Sequence, residues 1–282
     1  MIFEKTLKQT LETYGITPKK SLGQNFLLDQ NITDKIIRLS LEKQQIDDLR
    51  GENVLEVGSG PGGLTRAILK CCPKSLTVVE ADERCIDILS DLSRQANFKI
   101  HTINQDALLL DLADLNAQNL QIVSNLPYNI SVPLLTKWLK KLEHIRAMTL
   151  MFQKEVADRI CAPIKTKDYG RLSVLAQVNC NIQKLMSLRP ECFVPAPKVF
   201  STVLLFEPLK TRPPEQISEK LEKLTALAFS GRRKMIRQSL KQIPDLEKIC
   251  TDLSISLTAR AEEITPKQYL QWFNFFKHLP VQ

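Results

Sequence analysis

The sequence predicts an α/β protein with a mostly parallel sheet, helices on both faces and a small helical region at its C-terminal end. Three observations lead there. From residue 52 to about residue 160, short apolar strands alternate with segments of helical periodicity. The glycine-rich run Glu56-Val57-Gly58-Ser59-Gly60-Pro61-Gly62-Gly63 follows the first of these strands and opens a helix. A proline-rich polar stretch, Glu207-Pro208 to Pro213-Pro214, ends the strand-bearing part, and only helical spacing lies beyond it.

Residues 1–30 read as a basic opening segment. Lys19-Lys20-Ser21-Leu22-Gly23-Gln24-Asn25-Phe26-Leu27-Leu28-Asp29 mixes charge, amides and an apolar cluster. Ile32, Ile36, Ile37 and Leu41 then recur at helical spacing over 29–41, with Asp29 or Asn31 as the cap. Strands are expected at 53–57, 76–79, 99–103, 120–123 and 148–152. Helices are expected at 64–69, 85–92, 132–142 and 155–160.

After Gly170 the pattern changes. Strands at 185–188 and 201–206 have no full helix between them, only Arg189-Pro190-Glu191-Cys192-Phe193-Val194-Pro195-Ala196-Pro197. So short a connection suits antiparallel strands, so at least one late strand should run against the rest. Past the proline-rich linker, Leu221, Leu224, Leu227 and Ala228 predict one helix, and Ile236, Leu240 and Ile243 another. Ser230-Gly231-Arg232-Arg233-Lys234 interrupts them, and Trp272, Phe273, Phe275 and Phe276 follow near the chain end. The expected division is a domain at 1–208 and a helical domain at 209–282.

Composition narrows the class. At 282 residues, 43% hydrophobic and 25% charged, the chain has ordinary globular values. No apolar run approaches the ~20 residues of a membrane span, and Met1–Lys8 lacks a signal-peptide core. A cytoplasmic protein free of the membrane is expected. Seven cysteines (71, 72, 85, 161, 180, 192 and 250) contain no C-x-x-C pair, and His101, His144 and His278 lie far apart. No metal site is expected, and the thiols read as reduced and structural. A net charge of +8 fits a polyanionic partner such as RNA, although a basic, unspecialised surface gives the same number.

The glycine loop lets the backbone turn sharply and approach a ligand. Gly58, Gly60 and Gly63 satisfy G-x-G-x-x-G, so a dinucleotide site must be weighed. Two features argue against it. Glu56 is a poor neighbour for a pyrophosphate and suits a cation, such as the ammonium of a methionine moiety. Acids also follow each of the next two strands, Glu80 and then Asp106. One suits ribose hydroxyls and the other an adenine amine, a set that describes S-adenosylmethionine better than NAD.

Asn125-Leu126-Pro127-Tyr128 ends the fourth strand in a polar, aromatic, proline-stiffened loop. The Asn125 side-chain oxygen and the Leu126 carbonyl can accept hydrogen bonds from a planar amine, and Tyr128 can stack on its ring. Pro127 offers no competing N–H. Phe193 is a candidate to cover the other face of the ring, or a core residue. Arg232, Arg233, Lys234 and Arg237 are candidate phosphate contacts at the start of a helix, or a solvated basic face. Neither Cys161 nor Cys192 sits in a strand-end motif suited to attack on a pyrimidine.

The glycine run with Glu56, then Glu80, Asp106 and Asn125–Tyr128, resembles the Rossmann-like class I methyltransferases, in particular those that methylate exocyclic amines of bases. Lys20–Leu27, Phe193–Ser201 and Phe229–Lys234 extend the resemblance to the small-subunit ribosomal RNA adenine dimethyltransferases, over roughly residues 14 to 275. The glycine loop alone is a weak signal, whereas four motifs in this order are specific. The resemblance implies a mostly parallel seven-stranded sheet that binds S-adenosylmethionine and an all-helical C-terminal domain that recognises RNA. It implies that Asn25 and Leu27 close over the cofactor, that Glu56, Gly58 and Gly60 lie at its methionine part, and that Glu80 and Asp106 bind its ribose and adenine. Asn125 then borders the sulfonium. The implied reaction, by a monomer, is dimethylation of the N6 amines of two adjacent adenines in the 3′-terminal hairpin loop of small-subunit rRNA, in the free RNA or an immature subunit. Two alternatives stay open: a large-subunit rRNA adenine dimethyltransferase conferring antibiotic resistance, and a non-catalytic RNA-binding assembly factor. The long C-terminal region disfavours the first, and the intact Asn125, Pro127 and Tyr128 disfavour the second.

Overall fold

The computed structural model describes residues 3–115, 117–231 and 233–275. They form two compact units: residues up to 154 together with 183–207, and 155–182 together with those from 208 on. The chain begins with α1 (Leu7–Thr13), β1 (Phe26–Leu27), α2 (Gln30–Gln44), β2 (Asn53–Val57), α3 (Gly63–Lys70), β3 (Ser75–Glu80), α4 (Ile86–Ala96) and β4 (Ile100–Asn104). It continues through β5 (Leu120–Ser124), α5 (Tyr128–Trp138), β6 (Ile145–Gln153), α6 (Lys154–Ile160) and α7 (Arg171–Asn179). Then come β7 (Cys180–Leu188), β8 (Phe193–Val194), β9 (Ser201–Pro208), α8 (Glu215–Ala228), α9 (Ile236–Ser239), α10 (Leu246–Asp252) and α11 (Pro266–Gln271). Among the described residues no helix is long and apolar enough to cross a membrane.

Seven strands form one sheet in the order β4-β3-β2-β5-β6-β9-β7. The pairs β2–β3, β3–β4, β2–β5 and β5–β6 are parallel. β9 runs antiparallel to β6, from Met148↔Phe206 to Gln153↔Ser201, as the short late connection required. β5 is buried along its whole length, Gln121 and Ser124 included, as a central strand covered on both faces is. β1 and β8 form a separate antiparallel ribbon, Phe26↔Val194 and Leu27↔Phe193. Two-residue strands carry no periodicity, so no local pattern marks them.

The helices follow from local chemistry. The Asp29 carboxylate accepts from the Asn31 N–H at 2.9 Å and caps α2. Ile36, Ile37 and Leu41 of α2 are buried. A polar chain fastens the same helix to the sheet: Ser40 Oγ to Thr149 Oγ1 at 2.7 Å, Gln44 Nε2 to Ser40 Oγ at 3.0 Å, and Gln121 Nε2 to Gln44 Oε1 at 2.6 Å. α5 departs from expectation. It runs over Tyr128–Trp138 and not 132–142, with Pro127 at φ −54° just ahead of it and Pro133 inside it. Pro127, at ψ 128°, is the non-helical cap, and the helix starts at the very next residue.

In the second unit, α7 and α8 pack together, as do α7 and α11. Tyr169, Phe229, Tyr269 and Trp272 form a ladder of rings with successive centroids 6.2, 6.1 and 6.5 Å apart. Tyr169 and Tyr269 donate their hydroxyls to the Ile264 and Ala261 carbonyls, both at 2.9 Å. The helix expected through Ile243 is the four-residue α9, and a turn brings Leu240 and Ile243 into the core. α7 shows no clear one-face apolar period, because nearly all of it is buried.

One buried acid joins the sheet to its first crossover helix. Glu56, at 1% exposure, accepts from Thr65 Oγ1 at 2.7 Å. Its other oxygen, Oε1, has no partner. Burial, with a smaller push from the Glu80 charge and against the Thr65 hydrogen bonds, raises its carboxyl from 4.5 to about 8. Glu56 is therefore protonated at neutral pH. Below pH 4.5 it is neutral in both folded and unfolded chains and contributes no slope. Between 4.5 and about 8 only the unfolded chain ionises, so stability falls as pH rises, by about 1.4 kcal/mol per unit. Glu56→Gln keeps an acceptor for Thr65 and cannot ionise. Urea unfolding of this variant between pH 5 and 8 will decline less steeply than that of the parent chain, and equal slopes would contradict the assignment.

Candidate active site

The strand order reverses at β2. The chain steps outward through β3 and β4, returns, and lays β5 and β6 on the other side. Ligands of open α/β sheets bind where the carboxyl ends of such strands diverge. Ser124 Oγ donates to the Val57 carbonyl at 2.5 Å and ties those two ends together. The Gly58 N–H donates to the Val79 carbonyl at 2.8 Å and brings in the end of β3.

A cavity of about 340 Å³ opens there, within the usual range of small-molecule sites. Asn25, Leu27, Gly58, Gly60, Glu80, Asp106 and all of Asn125–Tyr128 line it. A larger and more open depression of about 1350 Å³ lies elsewhere on the same unit, along Phe3–Leu7, Arg66 and Phe200. The smaller cavity holds the strand-end acids and amides, and the chemistry belongs there.

The glycines act by close approach. Gly60 has φ +51°, and a Cβ on it would stand 2.9 Å from the Phe26 ring. Gly58 has φ +72°, and a Cβ there would touch Pro127 at 3.5 Å. The glycine loop, the opening segment and the Pro127 loop thus meet around one space, and side chains at Gly58 or Gly60 would be strained.

Glu80 is 5% exposed and accepts three hydrogen bonds from its own surroundings. Its Oε2 accepts from the Gly60 N–H at 3.0 Å and Ser59 Oγ at 3.3 Å, and its Oε1 from the Asp82 N–H at 2.9 Å. Asp106 is exposed, and its Oδ1 accepts from the Leu108 N–H at 2.9 Å. Lys137 Nζ steadies that turn through the Leu108 and Leu110 carbonyls, at 2.7 and 2.6 Å.

Asn125 is half-buried, and its Nδ2 donates to the Asn25 carbonyl at 3.1 Å. A carbonyl only accepts, so the nitrogen of the amide must face it. Oδ1 is left as the acceptor at the cavity. Tyr128 OH shares a 2.6 Å hydrogen bond with Ser201 Oγ, and burial raises its phenol. The ring is held from behind by the first residue of β9.

Other expected residues stand apart. Glu56 does not reach the cavity wall and lies behind the loop on Thr65. Phe193 is 2% exposed, does not line the cavity and pairs with Leu27 in the ribbon. Arg233, Lys234 and Arg237 are exposed in the second unit, before and within α9, and Arg232 lies outside the described residues. Three participants were not singled out from sequence: Gln24, Asp82 and Ser201. Asp82, two residues beyond Glu80, was the easiest to find.

The residues present suit an adenosyl ligand. Glu80 and Asp106 supply acceptors along the wall. Glu56, protonated behind the wall, keeps its Oε1 without a hydrogen-bond partner, a state that costs roughly 1–3 kcal/mol.

Comparison with known proteins agrees with this geometry. The model of the family "Ribosomal RNA adenine dimethylase" matches residues 15–278. A "Ribosomal RNA small subunit methyltransferase A" of Rhodospirillum rubrum is 42% identical over 258 residues, covering 92% of this chain and 88% of that protein. The protein of the same name from Gluconobacter oxydans is 41% identical over 264 residues, 94% of this chain and 85% of its own. Two solved structures share the fold. A dimethyladenosine transferase from Plasmodium falciparum has a TM-score of 0.71 at 22% identity, over 88% of this chain and 96% of that one. The 23S rRNA methyltransferase ErmE has a TM-score of 0.66 at 23% identity, over 89% and 98%. With a family match over nearly its whole length and relatives above 40% identity, the chain belongs to the ribosomal RNA adenine dimethylase family.

Proposed function

We propose that this protein transfers methyl groups from S-adenosylmethionine to the N6 amines of two adjacent adenines in the 3′-terminal hairpin loop of small-subunit ribosomal RNA. The observation that carries this reading is the fixed Asn125 amide, with its oxygen turned to the cavity beside Pro127 and Tyr128. Support for the small subunit comes from the relatives at 41–42% identity, whose names specify it.

When bound, the cofactor supplies an electrophilic methyl group on a sulfonium. The chain's own residues do the rest by orientation. Glu80 accepts from ribose hydroxyls and Asp106 from the adenine amine of the cofactor. Asn25 and Leu27 close over it, and Gly58 and Gly60 leave room for its methionine part. Glu56 braces the glycine loop from behind through Thr65.

Adenine N6 is a poor nucleophile because its lone pair is delocalised into the ring. As the new bond forms, the nitrogen becomes tetrahedral and its hydrogens more positive. Asn125 Oδ1 and the Leu126 carbonyl accept those hydrogens and stabilise the transition state more than the ground state. Tyr128 stacks on the base, a contact worth ~1–3 kcal/mol. Its ring is held in place by Ser201. A base gripped this way has left its stack, which suits a loop adenine. Phe193 backs Leu27 and reaches a base only by leaving that contact.

Charge supports the RNA reading. The unit formed by 155–182 and the residues from 208 on holds 17 Lys and Arg against 11 Asp and Glu, which is +6 of the chain's +8. Region 209–282 acts as the RNA-recognition domain, with Arg232, Arg233, Lys234 and Arg237 as phosphate contacts. The substrate is small-subunit rRNA, free or in an immature subunit, in the cytoplasm, engaged by a monomer.

Asn125→Ala should lower methyl transfer by about 100-fold or more, while calorimetric affinity for S-adenosylmethionine changes by only a few-fold. Undiminished turnover would remove Asn125 from the mechanism. Tyr128→Ala should weaken use of the RNA substrate by about tenfold or more, read as kcat/KM for the RNA. In a strain lacking the gene, primer extension should lose the stops at the small-subunit adenines and keep those on large-subunit RNA. The opposite pattern would assign the enzyme to the large subunit.

A further inference from the structure

Residues 17–27 form a strap whose part from Ser21 to Leu27 lines the cavity, and one carboxylate beyond β3 gathers it. Asp82 is 2% exposed. Gln24 Nε2 donates to its Oδ2 at 2.9 Å, and Lys19 Nζ stands 3.6 Å from its Oδ1. Arg84 binds both oxygens, Nε to Oδ1 at 2.8 Å and Nη2 to Oδ2 at 2.5 Å. The same Arg84 Nη2 donates to the Thr17 carbonyl at 3.2 Å. Strap positions 17, 19 and 24 therefore converge on one buried anion. Gln24 is itself aligned, because its Oε1 accepts from the Lys19 N–H at 2.8 Å.

The network continues into the site on both sides. The residue after Gln24 is Asn25, whose carbonyl orients the Asn125 amide. On the other side, the Asp82 N–H donates to Glu80, which in turn holds the Gly60 N–H. Nothing in the chemistry of methyl transfer needs Asp82, yet the Asn125 acceptor and the closed strap both hang from it.

We propose that Asp82 is a positioning residue. Through Gln24 it sets the Asn25 carbonyl that aims the Asn125 amide, and it holds the strap closed over the methyl donor. The second part rests on the reading that this cavity holds S-adenosylmethionine.

The test uses the full chain with Asp82→Asn, Gln24→Ala and both together. Amide hydrogen exchange is followed over residues 17–27 without ligand, and S-adenosylmethionine affinity, KM and kcat are then measured. Both single variants should speed exchange in the strap while leaving the strands β2 and β5 protected. Each should raise the Kd for S-adenosylmethionine by about tenfold, the scale of one hydrogen bond to a charged group. The double variant should be no worse than Asp82→Asn, because the two residues act through one bond. The rise in KM for the donor should exceed the fall in kcat. Gln24 is half-buried on the strap, so Gln24→Ala decides the matter if Asp82→Asn does not fold. Strap exchange at the parent rate in the folded variants, or losses that simply add, would overturn the proposal. Faster strap exchange in a chain whose parent shows no heat with S-adenosylmethionine would support the pin and overturn the donor reading.

Discussion

The site depends on parallel strands β2 and β5 ending side by side. Their ladder sets Glu56 opposite Val123, so Gly58 and Asn125 leave the sheet at the same edge. The Ser124–Val57 hydrogen bond locks that register at the last residue of each strand. A slip of one residue would turn every side chain of a strand to the other face. It would also carry Asn125 away from the cavity and Pro127 away from Gly58. A catalytic site of any kind needs its groups held to within about half an ångström. A loop held by two strand ends, a proline and a helix start can supply that.

Three acids within 27 positions show how environment separates identical chemistry. Glu56 is buried with a single hydroxyl donor, so it stays protonated and serves as a tether between β2 and α3. Glu80 is as deeply placed but receives main-chain and hydroxyl donors from its own loop and from Asp82. Asp82 is held well below the usual carboxylate range, chiefly by the Arg84 hydrogen bonds, with help from Gln24. Glu56 is thus a neutral tether and Asp82 an ionised partner of Arg84 and Gln24. Each state follows from how many donors meet the burial.

Much of this was legible in the chain. The strand expected at 53–57 is β2, and the Asp29-capped helix is α2. Motifs at Gly58–Gly60, Glu80, Asp106 and Asn125–Tyr128 all arrive at one cavity. Errors came where local pattern is weakest. Pro127 starts α5 early, α7 is too deeply buried to show a period, and the ribbon of β1 with β8 is two residues long. Glu56 and Phe193 were read as ligand contacts from residue type and position, and burial put both behind the wall.

Fold class, family and most of the cavity lining are written in short stretches of the chain. These follow from periodicity and from motifs that are contiguous, so neighbours along the chain carry the signal. Only the tertiary structure decided which way the Asn125 amide points, that Ser201 clamps Tyr128, and that Asp82 gathers the strap. Those contacts join residues 58 to 100 positions apart. Hydrogen bonds over such separations exist only once the strand order has brought their partners together, and no local pattern announces them.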